Sequence, residues 1–135
     1  MFGFGKRKKN EKYLICEGGS VFEIVGESHY QVALDRISGG KTENSVEIDI
    51  EAFLVAEPEN PYDKDAVKVE IDGFKVGHIP KSHTQSFHNI TRSLGLTKAK
   101  CKGTIVGGWK RDSGDEGSFG VKLDLKWPPR GVLSD

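Results

Sequence analysis

The 135 residues, 36% of them hydrophobic and 30% charged, suit one soluble globular domain with a modest core. Twenty basic and twenty acidic residues cancel, which excludes a uniformly basic nucleic-acid binder and confines any such site to a local patch. No apolar run approaches the ~20 residues of a membrane span, and Cys16 and Cys101 share no CxxC spacing.

The opening segment, MFGFGKRKKNEK, has its charges after its apolar residues and no hydrophobic stretch behind them. That pattern speaks against a secretory signal and predicts an intracellular, cytoplasmic protein with reduced thiols. A single Cys16–Cys101 disulfide stays open at this point. Lys6, Arg7, Lys8, Lys9 and Lys12 make residues 1–18 a basic N-terminal tail or extension. Such a tail is either simply solvated or adds non-specific phosphate contacts.

Val21–Val25 is short, β-branched and aromatic, and reads as a strand ended by Gly26. Ser28 can cap a helix in which Tyr30, Ala33, Leu34 and Ile37 recur at helical spacing, stopped by Gly39-Gly40. From Ser45 to Glu57 the apolar Val46, Ile48, Ile50 and Ala52 alternate with Glu47, Asp49 and Glu51, the period of a half-buried strand. The continuous apolar run Phe53–Ala56 predicts a bulge or bend. Pro58–Asp65 is a turn cluster, followed by the alternating strand Ala66–Ile71, the Asp72-Gly73 hairpin signal and a returning strand Phe74–Ile79. Pro80 suits a first helical turn, and Phe87, Ile90 and Leu94 predict a helix over 82–94 with one apolar face. Ala99–Gly107 and Ser118–Trp127 read as strands around a polar, glycine-rich loop, and Pro128-Pro129 ends the second. The predicted class is therefore mainly β, an OB-like small β-barrel with one or two short helices, spanning residues 19–128, with residues 129–135 as a C-terminal tail.

Residues 57–79, EPENPYDKDAVKVEIDGFKVGHI, resemble the central signature of the HIRAN domain family: an Asn-Pro-Tyr-Asp turn, an alternating strand, a glycine hairpin and a Val-Gly-His strand end. Val25-Gly26-Glu27-Ser28-His29-Tyr30 resembles the family's first block, a strand ending in Val-Gly with a tyrosine soon after. The resemblance covers residues 21–94 well, and the last two strands fit by pattern. It implies a modified OB barrel of a kind found fused to helicase-like DNA remodelling enzymes and also standing alone in bacteria and phages. A member from animals captures single-stranded DNA by a free 3′-hydroxyl end. By position, Tyr30 and Tyr62 would flank or stack on terminal bases, and Asp63 would accept the 3′-hydroxyl hydrogen bond. His78 and Lys81 would meet phosphate, Asn60 would hold the loop or a base edge, and His29 stands where that relative has an aromatic ring. Two departures, Ser28 for a basic residue and Glu59 for a neutral amide, reduce positive charge near the implied pocket.

The chemistry is coherent without the resemblance. Aromatic faces stack on any base, and a carboxylate repels internal phosphate but accepts a free hydroxyl. The bland alternatives are a purely structural Asn60–Asp63 turn, core roles for Tyr30 and Tyr62, and a hydrogen-bonding role for His78. His78, His83 and His88, five apart, drift around a helix and do not converge on a metal. The glycines of 107–120 lack a phosphate-loop pattern. No cofactor is expected. Three functions follow in order: a non-catalytic module for single-stranded DNA or its ends, with a helicase or nuclease as candidate protein partner in DNA repair; a protein-interaction module that has lost the DNA end; and a small metal-dependent nuclease.

Overall fold

A computed structural model describes residues 11–135; the basic stretch Lys6–Lys9 lies outside the described residues. Eight strands form one curled sheet, a half-barrel: β1 (Leu14–Cys16), β2 (Val21–Glu23), β3 (Val46–Ala56), β4 (Val67–Ile71), β5 (Phe74–His78), β6 (Lys98–Gly107), β7 (Phe119–Asp124) and β8 (Gly131–Leu133). Two short helices, α1 (Gln31–Ser38) and α2 (Thr84–Ser93), follow 3-10 turns at Glu27–Tyr30 and Lys81–His83. The mainly β, barrel-like class expected from the sequence is the one observed. No helix among the described residues is long and apolar enough to cross a membrane.

The path across the sheet is β2-β7-β6-β3-β4-β5. β6 pairs with β3 along its whole length on one edge, and its other edge is divided between β7 and a short parallel β1. β8 then pairs antiparallel with β1. The sheet thus extends past residues 19–128 at both ends. Leu14 anchors the first of these additions, buried opposite Ala99. Residues 11–13 do not join a strand, although Tyr13 is tied to Ser134 by backbone and side-chain hydrogen bonds.

The core lies on the concave side, where Leu34 of α1 and Phe87 of α2 meet Leu54, Val67, Val69, Val76, Ile105 and Leu123. α1 docks through Gln31, whose side-chain amide donates to the Phe119 carbonyl at 2.9 Å and accepts from the Phe119 N–H at 2.9 Å. Its end is a left-handed Gly39, as the Gly39-Gly40 pair predicts. On α2 the expected stripe is corrected: Phe87 is buried, but Leu94 is exposed beyond the last turn, and Thr84, His88 and Thr91 complete the buried face. The small, hydroxyl-bearing threonines go inward because Thr91 Oγ1 donates to the Phe87 carbonyl and leaves no unpaired group.

β3 is also corrected. Its register with β6 runs unbroken from Val46 opposite Gly107 to Val55 opposite Lys98, with no bulge. Ala52 and Leu54 continue the inner face, while Phe53 and Val55 continue the outer face on which Glu47, Asp49 and Glu51 stand. The apolar run reflects a strand covered on both sides at that end. The irregularity lies instead in β4, between Val69 and Glu70. The Asp72-Gly73 turn is as predicted, both residues having positive φ (51° and 82°).

Candidate nucleic-acid interface

The two ends of the sheet path meet at one point. Val25, just after β2, exchanges both backbone hydrogen bonds with His78 at the end of β5, at 2.8 and 3.0 Å. This seam explains the Val-Gly-His signature. Gly77 has φ of 159°, and a Cβ there would fall 2.7 Å from the Val25 carbonyl oxygen. Only glycine lets the second strand come this close. The two sequence blocks that carry the family resemblance are therefore the two sides of one seam.

Beside the seam, β3 runs on to Glu57, whose N–H donates to the Ala66 carbonyl at 2.9 Å. The Glu57 side chain is buried, the residue retaining 4% of its exposure. Three donors converge on it: Asn60 Nδ2 at 2.8 Å and His78 Nε2 at 2.8 Å on Oε1, and Lys75 Nζ at 2.5 Å on Oε2. Burial pushes the carboxyl pKa up, but the hydrogen bonds from Asn60, Lys75 and His78, with the Lys75 charge, outweigh it and hold the pKa at about 2. The same bond raises the Lys75 pKa against the lowering effect of its burial, so the ammonium stays charged. A carboxylate only accepts, so His78 carries its proton on Nε2 and turns Nδ1 away from Glu57.

Asn60 is a two-sided clamp. Its amide nitrogen donates to Glu57, and its amide oxygen accepts the N–H groups of Tyr62 (2.9 Å) and Asp63 (3.0 Å). Asp63 continues the chain of turns, with Oδ1 accepting the Asp65 N–H at 2.9 Å; its other oxygen makes no hydrogen bond among the described residues. At the crest of this tied-down loop the Tyr62 ring stands 94% exposed. Tyr30, half-buried at the end of its 3-10 turn, faces the cluster from across the seam. Its ring centroid lies 6.5 Å from that of His78 and 5.9 Å from Lys75 Nζ.

The fold therefore brings Tyr30, Asn60, Tyr62, Asp63 and His78 into one neighbourhood. His29 and Lys81 are exposed close by in sequence, but neither side chain makes a hydrogen bond or ion pair with the cluster among the described residues. Glu57 and Lys75, which organise it, went unrecognised in the sequence. Glu57 does continue the charged outer face of β3, but an acid at a strand end is ordinarily solvated, and only the closing loop buries it. The remaining histidines have structural partners. His83 packs edge-on against Phe22 and Trp127, and His88 donates from Nε2 to the Asp65 carbonyl at 2.8 Å. Both thiols are free, with burial raising the pKa of Cys16 to about 11 and of Cys101 to about 12.

No curated protein and no solved structure matches the chain. A family model for the HIRAN domain matches residues 18–112, from the turn before β2 to the loop after β6, and so takes in the seam and the whole Glu57–Asp63 cluster. With that match over most of its length, the chain belongs to the HIRAN domain family of nucleic-acid binding modules.

Proposed function

We propose that this protein captures single-stranded DNA at a free 3′-hydroxyl end and breaks no bond. The observation that carries the reading is the clamped loop, which holds an exposed aromatic ring, Tyr62, next to a carboxylate with one unengaged oxygen, Asp63. Tyr62 offers a face to the last base, and Asp63 accepts from the terminal hydroxyl. The exposed Lys81 and the Lys75 ammonium supply the phosphate side, together with the imidazolium form of His78, which donates from Nε2 to Glu57 and from Nδ1 to the phosphate. Asn60 acts on the loop rather than on a base, and Tyr30 closes the seam side of the pocket. Preorganisation matters, because a loop already ordered loses little entropy on binding.

The test is fluorescence anisotropy with short single strands ending in a 3′-hydroxyl or a 3′-phosphate, at low and moderate salt. The hydroxyl end is expected to bind more tightly, and Asp63→Ala to abolish that preference. Tyr62→Ala is expected to weaken binding to both ends by about 1–3 kcal/mol, the worth of one stacked base. An equal loss on both ends in Asp63→Ala would overturn the role given to Asp63. A protein-interaction module is the second reading, favoured by one observation: Glu57 already neutralises the Lys75 and His78 side of the cluster. Absence of binding to every strand at low salt would select it.

A further inference from the structure

The outer face of the sheet continues away from the seam in a direction that the end pocket does not use. His78, Lys68, Val55 and Lys98 are direct cross-strand neighbours on β5, β4, β3 and β6. At about 4.8 Å per strand this row runs roughly 14 Å from His78. It ends on a compact cluster of two rings and two ammonium groups. The Tyr13 and Phe53 rings meet edge to face at 5.2 Å. Lys98 Nζ lies 4.8 Å from the Phe53 centroid and 5.7 Å from that of Tyr13, and Lys100 Nζ lies 5.6 Å from Tyr13. Phe53 and Val55 are the apolar outward residues that the unbroken β3 register puts there, directly across from Lys100 and Lys98.

Resting on the end-capture reading, we infer that a bound strand continues from the pocket across β4 and β3 onto this cluster, with Lys68, Lys98 and Lys100 meeting successive phosphates. The occupant is a polyanion with flat, stackable groups, which is the chemistry of interleaved lysines and aromatic rings. Each lysine has a carboxylate partner: Lys68 with Glu70 at 3.1 Å, Lys98 with Glu11 at 3.0 Å and Lys100 with Glu51 at 3.6 Å. Glu11 and Glu51 are well exposed, and pairs of that kind hold little net energy, so a phosphate competes for the cation.

The experiment compares 3′-hydroxyl oligothymidines of three and nine nucleotides in anisotropy titrations over a range of salt, using the full chain. The wild-type protein is expected to bind the nonamer more tightly and with a steeper salt dependence. Lys98→Gln with Lys100→Gln is expected to bring the nonamer close to the trimer. The slope of log K against log salt should fall by about 1.4, the value for two single-strand phosphate contacts. Trimer affinity and the melting temperature should be unchanged. A nonamer that loses nothing in this variant overturns the track and leaves end capture standing. Failure of the wild-type protein to bind either oligonucleotide overturns end capture, and the track with it.

Discussion

Two loops of this protein look alike in sequence and differ in what holds them. Both 57–66 and 107–118 are polar, rich in turn residues and carry acids beside cations. The first is organised from beneath by a buried carboxylate that takes three donors, and its own side chains clamp its backbone. The second is a hairpin extension held by two backbone bridges, Thr42 with Trp109 and Lys110 with Glu116, and by ion pairs at the surface, Lys41 with Glu116 and Arg111 with Asp115. Exposed pairs contribute about 0–1 kcal/mol each, whereas a buried acceptor stripped from its donors leaves several groups unpaired at once. Charge density in a loop is therefore a poor guide to a site. What counts is whether the charge is buried under the loop and orders it.

Three measurements would break or sharpen this contrast. The largest effect is expected from Glu57→Ala, which leaves Lys75, His78 and Asn60 without their acceptor. Urea unfolding should show a loss of about 3 kcal/mol, the range found when one partner of a buried pair is removed. A loss below about 1 kcal/mol would put the 57–66 loop in the same class as the other.

The next effect is in acid. A carboxyl held at about 2 against an ordinary 4.5 contributes stability that is fully present above 4.5 and is lost as pH falls through about 2. Wild-type stability should therefore decline between those values, and Glu57→Gln should flatten that decline. Glu17 and Glu116 are also lowered, first by their hydrogen bonds to Lys126 and Lys41, so the comparison belongs at high salt, where such exposed pairs are screened. An acid limb equally steep in wild type and variant would assign it to other carboxyls.

The smallest effect is expected in the second loop. Glu116→Ala should change unfolding free energy by less than about 0.5 kcal/mol and leave oligonucleotide binding unaltered. A measurable loss of binding would extend the interface to the 107–118 hairpin, where Lys110 and Arg111 stand.

Much of the fold was legible in the chain. The alternation of β3, β4 and β6, the Asp72-Gly73 turn and the glycine stop of α1 depend on neighbours a few residues apart, and local periodicity reports them directly. The errors came where distant segments decide burial. The outward Phe53 and Val55 look like a break in phase until Tyr13 and Lys98 are seen on that face. β1 and β8 are three-residue strands that only each other and the free part of the β6 edge make worthwhile.

The sequence by itself determined the class, the hairpin and the motif residues Asn60, Tyr62, Asp63 and His78, because their backbone preferences and chemistry are carried within each segment. Only the tertiary structure decided that Glu57 is buried, that Lys75 and Asn60 share it with His78, and that Gly77 must admit Val25 at the seam. The physical reason is that burial and close approach are properties of pairs of segments. Glu57 and Lys75 are 18 residues apart, Val25 and His78 more than 50, and no local pattern in a chain records which distant residue will close over it.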